Sequence, residues 1–249
     1  MEVILDSTEE TSISIDGDFE KNSYSKNVKK SFFQALAMDT KLSNEIKFMP
    51  GMSGKKYRYF INNFVSITEN PRYLEIGSWT GSTVCSALYG NVAKAVCIDN
   101  WLTFPEEKQV RKFFNTENQK ETFEKNIKKV ITKKIDFKFI ESDFRKVNFN
   151  KLGKFNIYCY DALHDLKSQY NGITIVQPAL DNIFILVVDD WNLKEVRNGT
   201  FKAFKDLGIT VSSRIEIKTT QNDTYPKLVH SHYSDWHSGY FIAVCEKPK

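Results

Sequence analysis

Three aspartates stand where short apolar runs end: Asp161 follows Asn156 to Tyr160, and the pair Asp189-Asp190 follows Ile185 to Val188. If both runs are strands of one parallel sheet, their carboxyl ends share an edge and the three carboxylates converge. Unpaired, they would repel one another and raise each other's pKa. A divalent cation resolves that conflict, and Mg²⁺ favours a few carboxylates together with water and substrate oxygens. So held, it would acidify a chelated hydroxyl toward an alkoxide-like nucleophile. The plainer alternative is that Asp189 or Asp190 caps the next turn. His164 lies three residues beyond Asp161, and His237 sits in Asp235-Trp236-His237-Ser238-Gly239. Either is a candidate general base, because an imidazole titrates near neutrality. His230, His232 and His237 sketch a zinc site, ranked lower for want of cysteine partners or a helical i, i+4 pair.

A second constellation follows the run Tyr73 to Ile76, where Glu75, Gly77 and Gly81 give E-x-G-x-x-x-G and a helix from Ser82 to Tyr89 begins at once. In open α/β sheets ligands bind beyond the carboxyl ends of strands, where glycines let the backbone approach and helix N-termini supply unpaired N–H groups. The spacing is not the G-x-G-x-x-G of dinucleotide-pyrophosphate sites. A ligand without phosphates, S-adenosylmethionine, suits the wider turn: Glu75, Gly77, Ser78, Gly81 and Ser82 would hold its amino-acid end. The next strand ends at Asp99, placed to accept both ribose hydroxyls. The one after ends Glu141-Ser142-Asp143, where Ser142 and Asp143 would recognise the adenine amino group. Asp161 closes the set at the methyl end.

The elements that must position these residues alternate along the chain. Strands are expected at Tyr73 to Ile76, Ala95 to Ile98, Phe137 to Ile140, Asn156 to Tyr160, Phe184 to Val188, Ser213 to Ile217 and Tyr240 to Glu246, with helical stretches between most of them. That alternation predicts a parallel sheet covered on both faces. The last two strands leave no room for a helix and should pair as an antiparallel hairpin. Upstream, a short helix is expected from Lys30 to Met38, and Ser53 should cap another through Val65. Residues 1–28 are acidic and without sustained periodicity, and read as a flexible arm preceding one domain over 29–249.

Bulk properties narrow the class. The chain has 249 residues, 41% hydrophobic and 14% aromatic, enough for one packed core. Its opening residues lack a secretory pattern and no apolar stretch has the length of a membrane span. Cys85, Cys97, Cys159 and Cys245 fall inside apolar segments without C-x-x-C spacing, which predicts buried free thiols and a soluble cytoplasmic protein without membrane association. Seven acids precede the first base, Lys21, so the remainder carries 35 bases against 24 acids. That surplus of +11 raises a nucleic-acid hypothesis. The lysines at 125, 128, 129, 133 and 134 lie mostly outside the apolar stripe Phe123, Ile127, Val130 and Ile131, as a solvated face would.

Taken together, Tyr73-Leu74-Glu75-Ile76-Gly77, Ile98-Asp99, Tyr160-Asp161-Ala162-Leu163-His164 and Val188-Asp189-Asp190-Trp191 resemble the class I methyltransferases of the macrocin O-methyltransferase and cephalosporin-biosynthesis type, over roughly Gly51 to Lys247. The resemblance implies a Rossmann-like seven-stranded sheet with a reversed last strand, Mg²⁺ dependence, O-methylation of a sugar or similar hydroxyl, and homo-oligomers. It also implies that Asp161, Asp189 and Asp190 hold the metal. Where that family commonly has Asp-Gly-x-His, this chain has Asp161-Ala162-Leu163-His164.

The leading expectation is therefore a cation-assisted O-methyltransferase acting on a small molecule or glycan, with Trp79, Trp101, Trp191 and Trp236 available to stack on it. A nucleic-acid methyltransferase is the second reading, weakened because no Asn/Asp-Pro-Pro-aromatic motif follows Tyr160. A binding protein on the same fold, without catalysis, is the third.

Overall fold

All seven apolar runs become strands of a single sheet in the computed structural model, which describes residues 11–102, 118–226 and 233–248. They are β2 (Arg72–Ile76), β3 (Ala93–Asp99), β4 (Ile135–Glu141), β5 (Phe155–Tyr160), β6 (Leu180–Val188), β7 (Thr210–Lys218) and β8 (Tyr240–Glu246). An eighth strand, β1 (Ser12–Gly17), precedes them, and the sheet order is β1-β7-β8-β6-β5-β2-β3-β4. The pairs from β6 across to β4 are parallel. Strand β8 runs antiparallel to both β6 and β7, so the expected hairpin and reversed last strand are present.

Side-chain alternation divides the core into two apolar layers, as a sheet covered on both faces requires. Along β6, Ile185 and Val187 face one layer, while Phe184, Leu186 and Val188 face the other. Helices α1 (Ser23–Leu36), α3 (Lys55–Ile67), α4 (Ser82–Leu88) and α5 (Gln119–Ile127) cover the first with Phe32, Phe60, Val84 and Phe123. Helices α6 (Leu166–Thr174) and α7 (Lys194–Leu207) cover the second with Ile173 and Val196. The one-turn α2 (Asn44–Lys47) lies between α1 and α3 in the chain. All four cysteines are buried and free, and Lys125, Lys128, Lys129, Lys133 and Lys134 are exposed. Among the described residues no helix is long and apolar enough to cross a membrane.

The expectation of a flexible arm over 1–28 fails for its described part. Residues 12–17 pair along the outside of β7, setting Ile13 opposite Ile217 and Ile15 opposite Ile215, and Arg214 sits 3.2 Å from Asp16. Every side chain of β1 is exposed, so the backbone ladder holds it and no buried stripe betrayed it. Helix α1 also starts earlier than Lys30, because Asn22 caps it by accepting the Ser25 N–H at 2.9 Å. Its core stripe is Val28, Phe32 and Ala35.

Gly54, not Ser53, precedes α3. Ser53 turns inward and accepts from the Arg58 Nε at 2.9 Å. Arg58 is fully buried, donating to the carbonyls of Met49 at 2.7 Å, Lys47 at 3.0 Å and Gly51 at 3.2 Å. One guanidinium thus shapes the loop that carries Met52 to the edge of a cleft. Arg58→Met leaves those acceptors unpaired in the interior, and a stability loss of about 3 kcal/mol or more is expected from chemical denaturation.

Candidate active site

The turns after β2, β3, β4 and β5 line one open cleft of about 1000 Å³, counted out to solvent. That placement follows from the parallel strands, whose carboxyl ends lie on one edge. Gly77 has φ +88°, and a Cβ on it would sit 1.6 Å from the Asp161 carbonyl oxygen. The two turns therefore touch backbone to backbone, locked by Asp161 N–H to the Ile76 carbonyl at 2.9 Å, while Gly77 N–H to the Ile98 carbonyl at 3.0 Å ties the same turn to β3. Gly81, φ +84°, is the N-cap of α4, and its N–H bonds the Ser78 carbonyl at 2.7 Å.

Asp99 accepts the backbone N–H of Trp79 and of Trp101, each at 2.8 Å, which fixes the plane of its carboxylate at the cleft wall. Burial pushes its pKa up, and those amides pull the other way. Asp143 takes a fork from Arg145, Nε at 2.9 Å and Nη2 at 2.6 Å, and that bond holds its carboxyl below the ordinary range. Both residues line the cleft, so a base arriving there meets an Asp143–Arg145 pair rather than a lone carboxylate.

Of the residues expected to hold a cofactor, Gly77, Ser78, Ser82, Asp99, Ser142, Asp143 and Asp161 line the cleft, whereas Glu75 and Gly81 do not. Glu75 is buried beneath the turn with the Tyr73 hydroxyl donating to it, and burial raises its pKa to about 8. A carboxyl so raised costs nothing while both states are protonated, and its penalty grows as pH climbs from its unfolded value to about 8. Glu75→Gln is expected to flatten the fall in stability between about pH 5 and 8, read from denaturation midpoints across that range.

Asp161 and His164 line the cleft, and together with Asp190 they bring one ligand atom each to within 4.8 Å of one another. His164 places Nε2 2.7 Å from Asp190 Oδ2 and Nδ1 2.9 Å from the Tyr225 hydroxyl. Burial, with Asp190 adding, pushes Asp161 up to about 7. Burial also lifts Asp189 well above the carboxylate range, with the neighbouring Asp161 and Asp190 carboxyls adding to it. For Asp190 burial acts upward too, but His164, His237 and Ser238 outweigh it and hold the group below its usual value. Asp189 accepts the Asp190 N–H at 2.7 Å, so it stands behind the trio rather than in it.

The two candidate bases part company. His164 lines the cleft, while His237 is buried behind Asp190, with φ +45° and its N–H on the Ser234 hydroxyl at 2.5 Å. His230 and His232 lie outside the described residues. Trp79 lines the cleft. Trp101 packs on Phe139 at 5.2 Å. Trp191 and Trp236 are instead core residues, stacked on Phe241 at 4.4 Å and Phe32 at 5.6 Å. Sequence reasoning missed Arg145 and Tyr225. The first lay two residues past a recognised acid; the second lay in a segment with no periodicity.

No family model and no curated protein matches the sequence. Among solved structures, the fold is similar to an O-methyltransferase from Bacillus cereus in complex with S-adenosylhomocysteine, at TM-score 0.52 and 11% identity over 89% of this chain and 91% of that one. Weaker likenesses include a precorrin-6y C5,15-methyltransferase from Geobacter metallireducens, at TM-score 0.48 and 13% identity over 76% of this chain and 88% of that one. A ribosomal protein L11 methylase from Lactobacillus delbrueckii gives 0.44 and 9% over 78% of each chain. The strand order, the reversed β8 and the first of these likenesses show that the chain has the Rossmann-like fold of class I methyltransferases.

Proposed function

We propose that the protein is an S-adenosylmethionine-dependent O-methyltransferase acting on a hydroxyl of a small molecule, with a sugar or glycan preferred, and that a divalent cation assists it. The observation that carries this reading is the position of Asp161. Its backbone touches the Gly77 turn and its carboxylate belongs to the trio with His164 and Asp190, so the cofactor pocket and the acidic cluster share one residue. Two carboxylates and an imidazole within 4.8 Å are a donor set that fits a divalent ion.

Asp99, already oriented by two amides, has lone pairs left for the ribose hydroxyls. Asp143 and Arg145 would meet the base, and Ala162 and Leu163 add apolar lining to the same cleft. A bound cation supplies Lewis acidity at the acceptor hydroxyl, bringing release of its proton toward neutral pH. The acceptor oxygen attacks the methyl carbon in line; the carbon–sulfur bond breaks, and its electron pair stays on sulfur. The open cleft gives the hydroxyl proton a path to water.

The test is transfer of labelled methyl from S-adenosylmethionine to a panel of sugars, glycosides and phenols, with and without chelator. Label on oxygen that is lost after chelation supports the proposal. Label on RNA or on nitrogen, or transfer indifferent to chelator, contradicts it.

A further inference from the structure

The His164 ring is held at both nitrogens, and the residue on its far side comes from an unusual place. Tyr225 lies in segment 219–226, between β7 and β8, and that segment is tied to the turn after β6. Asn192 accepts the Thr219 N–H at 2.8 Å and donates to its hydroxyl at 2.9 Å. Arg197 pairs with Asp223 and also donates to the Trp191 carbonyl at 2.8 Å. The Thr220 hydroxyl closes the strap on the Thr224 carbonyl at 2.7 Å. The turn that carries Asp190 is thus the anchor for the residue that orients His164.

We propose that His164, steered by Tyr225, is the third ligand of the cation beside Asp161 and Asp190, and that the site therefore favours a transition ion of the manganese or zinc kind over magnesium. The inference rests on the cation-assisted reading above. Magnesium dehydrates reluctantly and takes oxygen ligands, whereas imidazole suits transition ions. With Nε2 on the ion, the single proton of a neutral imidazole resides on Nδ1, where the Tyr225 oxygen, 2.9 Å away, accepts it. Asp189 supports the set from behind by accepting the Asp190 N–H at 2.7 Å. Two ionised carboxylates then balance a doubly charged ion.

The experiment is calorimetric titration of the chelator-treated full chain with MnCl₂ and, separately, MgCl₂, with S-adenosylhomocysteine binding as the check on folding. Mn²⁺ is expected to bind at least about tenfold more tightly than Mg²⁺, and His164→Asp to erase most of that preference by weakening Mn²⁺. Tyr225→Phe is expected to weaken Mn²⁺ by about 10- to 100-fold. Asp189→Asn should retain more Mn²⁺ affinity than Asp190→Asn, and all variants should keep their affinity for S-adenosylhomocysteine. Equal binding of the two ions, untouched by His164→Asp, overturns the inference while leaving a cation site standing. A wild-type chain that binds neither ion removes the cation reading and this inference together.

Discussion

Gly77→Ala is expected to abolish binding of S-adenosylhomocysteine and to cost at least about 4 kcal/mol of stability. Two effects combine. The residue has φ +88°, which an alanine adopts only under strain, and its Cβ would lie 1.6 Å from the Asp161 carbonyl oxygen. Backbone on one side and backbone on the other leave nothing that can swing away. The β2 turn must separate from the β5 turn, which breaks the Asp161 N–H bond to Ile76 and moves Asp161 from the cluster. Calorimetric titration with the product, beside a denaturation curve, reads both consequences. A variant that folds and binds like wild type would show that the two turns are not coupled.

Asp190→Asn is expected to lower cation-stimulated methyl transfer by at least about 100-fold while leaving S-adenosylhomocysteine affinity within about twofold. Asn is the appropriate replacement because Asp190 has φ +53°, a region that Asn tolerates. Its amide keeps the shape of the carboxylate and one acceptor oxygen opposite His164, and removes the charge. Asp190 is the acid of the cluster held below the ordinary carboxylate range, by His164, His237 and Ser238 against its burial. It is therefore anionic across the neutral range, the charge that the proposed cation would need. Steady-state rates with and without added Mn²⁺ or Mg²⁺ measure the loss, and undiminished stimulation would take Asp190 out of the ligand set.

Much of the fold was legible because buried strands announce themselves. Ile185 to Val188 and Tyr240 to Cys245 are continuous apolar runs, and such runs belong to strands covered on both faces. Strand β1 was not legible: Ser12–Gly17 is exposed throughout, and its ladder partner is some two hundred residues away in β7. The position of Asp99 and Asp161 followed from the rule that parallel strands end on one edge. What that rule does not give is which way a side chain turns within a strand end. Glu75 is the example, one residue inside β2 and facing the core beneath the turn rather than the cleft. Asp189 and Asp190 are a second: both lie past the end of β6, where the left-handed backbone of Asp190, φ +53°, sends the two carboxylates different ways, one to His164 and the other back onto the Asp190 N–H. Tyr225 illustrates a different limit, since it reaches the site through the Asn192 hydrogen bond to Thr219 and the Arg197 ion pair with Asp223, in a segment without periodicity.

The claim on which everything else depends is that the cleft between Gly77 and Asp143 receives S-adenosylmethionine. Calorimetric titration of the wild-type chain with S-adenosylhomocysteine tests it most directly. One site per chain is expected, with affinity reduced by Asp99→Ala, which removes the carboxylate that would hold the ribose. Absence of binding up to about 1 mM ligand, an affinity weaker than about −4 kcal/mol, by a chain shown to be folded, would contradict the account.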